Sequence, residues 1–283
     1  MSYENIPKNA TETAVLVEVD KIVPVDVATL PDIPAKSFYF EVAAGRVTDN
    51  ESLHTFGRNP TIDTADGFAD LWSGGGVYTG FNATVAEPIS VVSTSANDAA
   101  AGSGARFVRV VGLDTNREEI TEVIVLNGTT PVISANSYIR CSLASVLQAG
   151  TLGGNDGIIT GNQSVTVANV FFVMEVGDNR TLQSVYTIPA NKQLLLVSIF
   201  TFLAKKGSSS AEVKILIRGL GGVFQTVTWF ALDSNGTSYV PRQFDVPFQP
   251  LPAGADIKFA ASVSANNTAV AAGIEGILET LPV

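Results

Sequence analysis

The chain has very few of the side chains that enzymes and metal sites use most often. Its 283 residues include one histidine, His54, and one cysteine, Cys141. General-base catalysis, thiol catalysis and zinc binding all depend on these two residue types. We therefore expect no catalytic residue, no cofactor and no metal site, and we predict that the protein is not an enzyme.

Charge is the second shortage. Only 16% of the residues are charged, and the net charge is −10. A protein that binds duplex nucleic acid needs a basic face to displace counterions, so this composition disfavours nucleic acid as a partner. A soluble monomer usually carries more charge than this chain, which indicates that other subunits cover part of its surface.

Long apolar runs and disulfide partners are also missing. The longest apolar run, residues 194–204, is too short to cross a bilayer and predicts a buried strand, so we expect no membrane partner. The first residues show neither the basic start nor the apolar core of a secretory signal. A lone cysteine excludes an intrachain disulfide, and the apolar stretch 138–143 predicts that Cys141 is buried.

What the sequence does contain is a series of short strand patterns, most regular after residue 181. Apolar residues make up 46% of the chain, which is enough for a sizeable core. Seven strands with turns between them predict a β-sandwich or jelly roll. The strand candidates are residues 182–188, 193–204, 211–218, 223–231, 237–248, 256–263 and 269–281.

The first 180 residues are less regular. Residues 1–50, with strand candidates at 14–19 and 37–42, are either an arm that lies along a neighbouring subunit or the first strands of a domain. Residues 51–180 predict a β-rich domain with long Gly-rich loops. We therefore predict an all-β chain in which residues 181–283 fold alone and the preceding part docks onto neighbouring subunits.

Two features of the middle segment lead to specific expectations. Residues 56–82 are rich in Gly, Asp and Asn, which predicts an ordered loop anchored by aromatic residues, with one helical turn near 65–71. Asn127-Gly128 follows the strand candidate 119–126 and is the strongest hairpin signal in the chain. Residues 95–104 have small side chains, which predicts a long, flexible loop.

The possible catalytic groups have simpler structural explanations. A Ser-His-Asp triad would have to combine His54 with a serine such as Ser93 or Ser95, and no Gly-x-Ser-x-Gly elbow supports it. Glu118 and Glu122 share a strand face and could in principle hydrolyse a glycoside, but a solvated face explains them better. Residues 114–118 lack the glycine of a calcium loop.

Exposed aromatic residues in Gly-rich loops could contact a glycan. The candidates for such loop contacts are Trp72 and Tyr78, with Trp229 as a third. Trp229 lies in an alternating strand pattern, so packing in the sandwich core is the simpler expectation for it.

Several stretches of the chain, spread over about residues 56–278, resemble a family of tailed-bacteriophage virion structural proteins. They are residues 56–60 (FGRNP), 64–68 (TADGF), 95–98 (SAND), 104–106 (GAR), 111–114 (VGLD), 126–132 (LNGTTPV), 186–190 (YTIPA) and 262–267 (SVSANN). The resemblance implies a place on the virion, assembled in the host cytoplasm, and no catalytic residues.

Composition and resemblance together predict a homotrimeric capsid decoration or head-fibre protein. Its expected partners are other copies of itself and virion proteins such as the major capsid protein, because symmetric particles offer three-fold positions to a closed trimer. The alternative prediction is a tail-associated protein that binds a receptor or glycan.

Overall fold

The structure is a computed structural model that describes the strands 13–18 and 21–26 and residues 37–204, 208–236, 238–244 and 250–282. Within these ranges its regular structure is nearly all antiparallel β-sheet, as the sequence predicts. The strands are β1 (Thr13–Glu18), β2 (Lys21–Asp26), β3 (Asn50–Ile62), β4 (Ala69–Asp70), β5 (Glu87–Ser93), β6 (Ala105–Leu113), β7 (Glu119–Val125), β8 (Val132–Tyr138), β9 (Arg140–Ala149), β10 (Ile159–Gln163), β11 (Val170–Met174), β12 (Val185–Thr187), β13 (Lys192–Ala204), β14 (Ser210–Arg218), β15 (Gln225–Asp233), β16 (Tyr239–Gln243), β17 (Asp256–Val263) and β18 (Thr268–Thr280).

The part of the chain before residue 42 is a unit of its own. Here β1 and β2 pair as an antiparallel hairpin, from Thr13 opposite Asp26 to Glu18 opposite Lys21. The strand predicted at residues 14–19 is therefore confirmed for residues 14–18, and residue 19 lies outside the described residues. Residues 1–12, 19–20 and 27–36 of the predicted N-terminal arm, residues 1–50, lie outside the described residues.

The strand predicted at residues 37–42 is wrong. The segment forms the helix α1 (Phe38–Ala43). Ser37 caps it, because its Oγ and its carbonyl oxygen both accept the backbone N–H of Phe40, at 3.3 and 3.0 Å. A serine cap satisfies N–H groups that a strand would have to pair elsewhere, and this outweighs the strand preference of the aromatic residues that follow it.

A larger sandwich contains all seven strands predicted after residue 181. One sheet has the strand order β16-β13-β18-β3, and the other has the order β12-β17-β14-β15, with β4 paired to β17. Ile62, Leu194, Val213, Phe259 and Ile274 lie between the two sheets and are almost completely buried. Residues 237 and 245–248 of the fifth predicted strand lie outside the described residues.

Residues 181–283 were expected to form this sandwich by themselves, but its two sheets also contain β3 and β4. The strand β3 pairs with β18 along its length, from Asn50 opposite Glu279 to Ile62 opposite Thr268. Residues 56–62 were expected in a loop because of their glycine and asparagine. A side chain at Gly57 would overlap the backbone of Ser184, so this glycine permits close packing within a strand and does not mark a turn.

A smaller sandwich is inserted in the sequence between β4 and β12. Its sheets have the strand orders β11-β10-β5-β8 and β7-β6-β9. Its core includes Ile89, Val108, Tyr138, Phe171 and Phe172. Cys141 belongs to the same core, as predicted, and burial raises the pKa of its thiol to about 12, so the thiol stays protonated at neutral pH.

The hairpin predicted at Asn127-Gly128 is wrong, because β7 and β8 belong to opposite sheets of the smaller sandwich. The turn carries the chain from one sheet to the other. Gly128 has a φ of 61° and accepts the N–H of Ser93, while its own N–H donates to the carbonyl oxygen of Asp98. These tertiary hydrogen bonds take the place of the strand pairing that would close a hairpin.

The loop 95–104 is ordered around one carboxylate, in contrast to its predicted flexibility. Asp98 is fully buried. Its two oxygens accept hydrogen bonds from the backbone nitrogens of Ala105, Asp156 and Gly157 at 2.7 to 2.9 Å and from Ser93 Oγ at 2.6 Å. A buried carboxylate with four donors holds two loops and the start of β6 together.

The two sandwiches meet around a second buried carboxylate. Asp256, at the start of β17, binds Arg140 of β9 through Nε at 3.2 Å and Arg218 of β14 through Nε at 2.7 Å. Thr187 at the end of β12 donates its hydroxyl to the same carboxylate.

Among the described residues, no helix has the length and apolarity needed to cross a membrane.

We predict that residues 181–283 alone do not fold cooperatively, whereas residues 42–283 do. Without β3 and β4 the larger sandwich loses the buried side chains of Ile62, Ala69 and Leu71 and exposes one edge of β18. Losing one buried leucine or isoleucine already costs about 2–5 kcal/mol, a large part of a domain's stability. Thermal unfolding followed by circular dichroism compares the two fragments. A sharp transition of the shorter one at the temperature of the longer one would contradict the prediction.

Candidate interaction surface

Five aromatic rings form a strip across the outer face of the sheet β16-β13-β18-β3. We call His54, Phe56, Phe200, Phe202 and Tyr239 the aromatic strip. Neighbouring ring centroids lie 5.6 to 6.2 Å apart, from His54 over Phe200 at one end to Phe202 over Tyr239 at the other. None of the five rings is fully buried, and Tyr239 is 51% exposed.

Alternation along the strands places these rings on one face. Phe200 and Phe202 are two residues apart on β13, as are His54 and Phe56 on β3, so each pair projects to the same side of the sheet. Tyr239 lies opposite Phe202 on the edge strand β16. Thr201 and Leu203, between and after the two phenylalanines, are buried on the inner side.

Small residues on the central strand allow the rings to meet. Gly273 of β18 lies between Phe200 and Phe56 in the pairing register. A side chain at Gly273 would overlap the Phe200 ring and the backbone of Thr55. The missing side chain therefore leaves a groove that the flanking rings fill, and the ring centroids of Phe56 and Phe200 come within 6.2 Å of each other.

A small polar cluster ends the strip at His54. Glu275 of β18 lies between His54 and Ser198 in the register. Ser198 Oγ donates to Glu275 Oε2 at 2.7 Å, and His54 Nδ1 is 3.6 Å from Glu275 Oε1. The arrangement holds the imidazole flat against Phe200.

The groups considered for catalysis are not brought together. His54 lies in the larger sandwich, whereas the hydroxyl of Ser93 donates to Asp98 and that of Ser95 donates to Asp156. A histidine without catalytic partners is expected in a loop or in a packing role; His54 lies in the strand β3 and not in a loop, and its ring stacks on Phe200.

Carboxylates considered for glycoside hydrolysis and for calcium binding contact backbone groups or a lysine. Glu122 accepts the backbone N–H groups of Ala135 and Asn136, and Glu119 is 3.7 Å from the ammonium group of Lys192. The Asp114 carboxylate, considered as part of a calcium loop, accepts two backbone N–H groups of its own turn.

Trp72 and Tyr78, the two predicted loop contacts, are buried. The prediction that their side chains are exposed to a glycan is therefore wrong for both. Their rings pack edge to face at 5.1 Å, and Tyr78 packs on Phe81 at 5.0 Å. Tyr78 donates its hydroxyl to the carbonyl oxygen of Phe171 in β11, and burial raises its pKa well above the ordinary value. The expectation that aromatic residues anchor this segment is met by these three rings.

Trp229 differs from expectation in the opposite direction. It was expected in the sandwich core, but it is 59% exposed on the edge strand β15, where Val227 is also exposed. The inward positions of that strand are taken by Phe230 and Leu232, one residue out of phase. Alternation alone gives two possible phases, and the sequence did not fix which one faces the core.

The aromatic strip was missed at the sequence level. The signal available was the alternating pair of phenylalanines at 200 and 202 together with the pair at 54 and 56. The two pairs come into contact only because β3 pairs with β18, and the glycine and asparagine of residues 56–62 concealed that strand.

Comparison of the chain with family models, with curated proteins and with solved structures finds no match.

We predict that Gly273→Ala destabilises the protein by about 1–3 kcal/mol, because the added methyl group forces the Phe200 ring and the β3 backbone apart. Gly219→Ala is the matched control, since a side chain there meets no atom within 4 Å. Chemical denaturation measures both variants. Equal stability of the two would show that the groove at Gly273 does not constrain the strip.

Proposed function

We propose that the protein is a structural component of a bacteriophage virion that assembles as a homotrimer, as a capsid decoration or head-fibre protein. The carrying observation is the aromatic strip: a row of partly exposed rings on one face of a sheet, in a chain with little charge. Monomers rarely expose contiguous apolar surface, whereas interfaces are enriched in aromatic residues.

The strand order of the larger sandwich supports the same function. Apart from the two-residue β4, its eight strands are β3 and β12 to β18, and the sheets contain them in the orders 3-18-13-16 and 12-17-14-15. We infer from this order that the sandwich is a jelly roll, with the smaller sandwich inserted after its first strand. Jelly rolls occur in viral capsid proteins and also in lectins, so the architecture fits a virion protein without deciding its position.

Self-association would use the strip and leave other faces for further partners. The sheet that carries it ends at the edge strand β16, where Tyr239 is 51% exposed. Burying such rings against a second copy contributes apolar area and ring contacts. The major capsid protein is the expected partner beyond the trimer, and the virion, assembled in the host cytoplasm, is the expected location.

We predict that the purified protein has three times the 29.6 kDa mass of the chain at micromolar concentration. Tyr239→Glu should weaken association by about 30-fold or more, since a buried aromatic anchor contributes ~2 kcal/mol or more. Val123→Glu is the matched control, because Val123 on the smaller sandwich is equally exposed, at 51%. Light scattering after gel filtration measures the mass. A monomeric parent protein, or equal effects of both variants, would contradict the role given to the strip.

The second candidate function is a tail-associated protein that binds a receptor or glycan. It is favoured by Trp229, which is 59% exposed on the outer side of the edge strand β15. An exposed tryptophan offers a flat apolar face against which a sugar ring can pack. In this alternative the ligand-binding surface would include β15.

Antibody labelling of purified phage particles distinguishes the two candidates. We predict labelling of the head, because a decoration or head-fibre protein lies on the capsid surface. An antibody against an unrelated protein is the control for non-specific adsorption. Labelling confined to the tail would favour the glycan-binding alternative, and a particle without label would contradict both.

A further inference from the structure

A cavity at the junction of the two sandwiches has a surplus of positive charge. Its volume is about 300 Å³. Arg117 from the turn between β6 and β7, Arg140 from the start of β9 and Arg218 from the end of β14 line it, together with the Asp256 carboxylate. Three of the nine arginines of a chain with net charge −10 therefore face one cavity that contains a single acid. Such a cavity concentrates positive potential.

Two of these arginines are already used at the junction. Arg140 directs its Nε to Asp256 and its Nη1 to the carbonyl oxygens of Ala83 and Ile139. Arg218 directs its Nε to Asp256 and its Nη2 to the carbonyl oxygen of Phe81. Within the described part of the chain, Arg218 Nη1 has no hydrogen-bond partner, so this donor remains available to a ligand.

Arg117 is different, because its guanidinium group makes no hydrogen bond or ion pair to any described residue. Its Nε is nevertheless buried from solvent. A buried donor without an acceptor destabilises the folded state and is rare in native proteins. An acceptor that enters the cavity would remove this cost.

The backbone holds Arg117 in place before any ligand arrives. Its φ of 64° lies in the left-handed region, which a residue with a long side chain seldom adopts. Its N–H donates to the carbonyl oxygen of Asp114 at 3.0 Å, and its carbonyl oxygen accepts the N–H of Ala190 at 2.8 Å. Strained residues that are fixed in this way are concentrated at functional sites.

We propose that this cavity binds a small molecule that carries a carboxylate or phosphate group. The oxyanion lies between Arg117 and the free Nη1 of Arg218, where charge-assisted hydrogen bonds with guanidinium groups are strong. The volume is at the lower end of the range of ligand pockets, so the body of the ligand is about the size of one sugar ring. Leu220 and Ile139 give the cavity apolar walls for that body. The proposal does not depend on the virion function.

Titration calorimetry on the full chain tests the site with four probes: glucuronate, glucose 6-phosphate, inorganic phosphate and uncharged glucose. We expect at least one of the two acidic sugars to bind and glucose not to bind. Arg117→Gln should weaken that binding at least tenfold, and Arg117→Lys should weaken it less because it keeps the charge. Arg109→Gln, at an exposed position of β6, is the matched control and should leave binding unchanged.

Each other outcome is decisive. Binding of inorganic phosphate alone would keep the oxyanion site and overturn the sugar-sized body. No binding of any acidic probe at millimolar concentration, or equal weakening by Arg109→Gln and Arg117→Gln, would overturn the proposal. Binding of glucose as strong as that of glucuronate would also overturn it, because the arginines would then have no part in recognition.

A measurement on the unmodified protein guards against misfolded variants. With ¹⁵N-labelled arginine, the Nε–H signals of the nine arginines are observed directly, and the Arg117 signal is identified by its loss in Arg117→Lys. We expect the acidic probe to shift the Arg117 signal and leave the Arg109 signal in place. Binding with an unshifted Arg117 signal would place the ligand elsewhere and overturn the site.

Discussion

The ion pairs of Asp256 are the contact on which the arrangement of the two sandwiches depends. The Asp256 carboxylate is 4% exposed. Asp256 lies between Thr187 of β12 and Arg218 of β14 in the strand pairing, and Arg140 of the smaller sandwich binds the same carboxylate. Removing one partner of such a buried pair costs about 3–5 kcal/mol, because the remaining charge is left without compensation. One carboxylate cannot neutralise two guanidinium groups, so the contact that joins the sandwiches also leaves the positive charge of the cavity beside it.

The insertion of the smaller sandwich explains why so many large side chains of residues 69–81 are buried. The chain leaves the larger sandwich after β4 and has to be fixed where it departs. Asp70 does this through an ion pair with Lys258 at 2.8 Å and by accepting the N–H of Tyr78 at 2.7 Å. Burial raises the pKa of Asp70, while Lys258 acts in the opposite direction. The rings of Trp72, Tyr78 and Phe81 then fill the space between the sandwiches, so they are unavailable as surface contacts.

The sequence predicted most of the elements that local periodicity determines. It failed at residues 37–42, where the cap of Ser37 outweighs the strand preference, and at the places where a distant segment decides. All seven strands after residue 181 were predicted, because alternation and turn residues are local signals. The strand β3 was missed, since Gly57 is required by the backbone of Ser184, more than a hundred residues later in the chain. The turn at Asn127-Gly128 has the residues of a hairpin turn, but hydrogen bonds of Gly128 with Asp98 and Ser93 direct the chain from one sheet to the other. The aromatic strip and the arginine-lined cavity depend on register and on the insertion, which no local pattern contains.

Because several charged residues are buried, the surface carries even less charge than the composition indicates. Of the few charged residues, Asp70, Asp98, Arg140 and Asp256 are buried, where they hold loops and sandwiches together. The charges left for the surface are therefore fewer than 16% of the residues suggests, while the rings of the aromatic strip stay partly exposed. A surface with little charge and a row of exposed rings favours association. The same constraint that joins the two sandwiches thus removes charge from the surface, and this is the physical reason to expect that other subunits cover part of this chain.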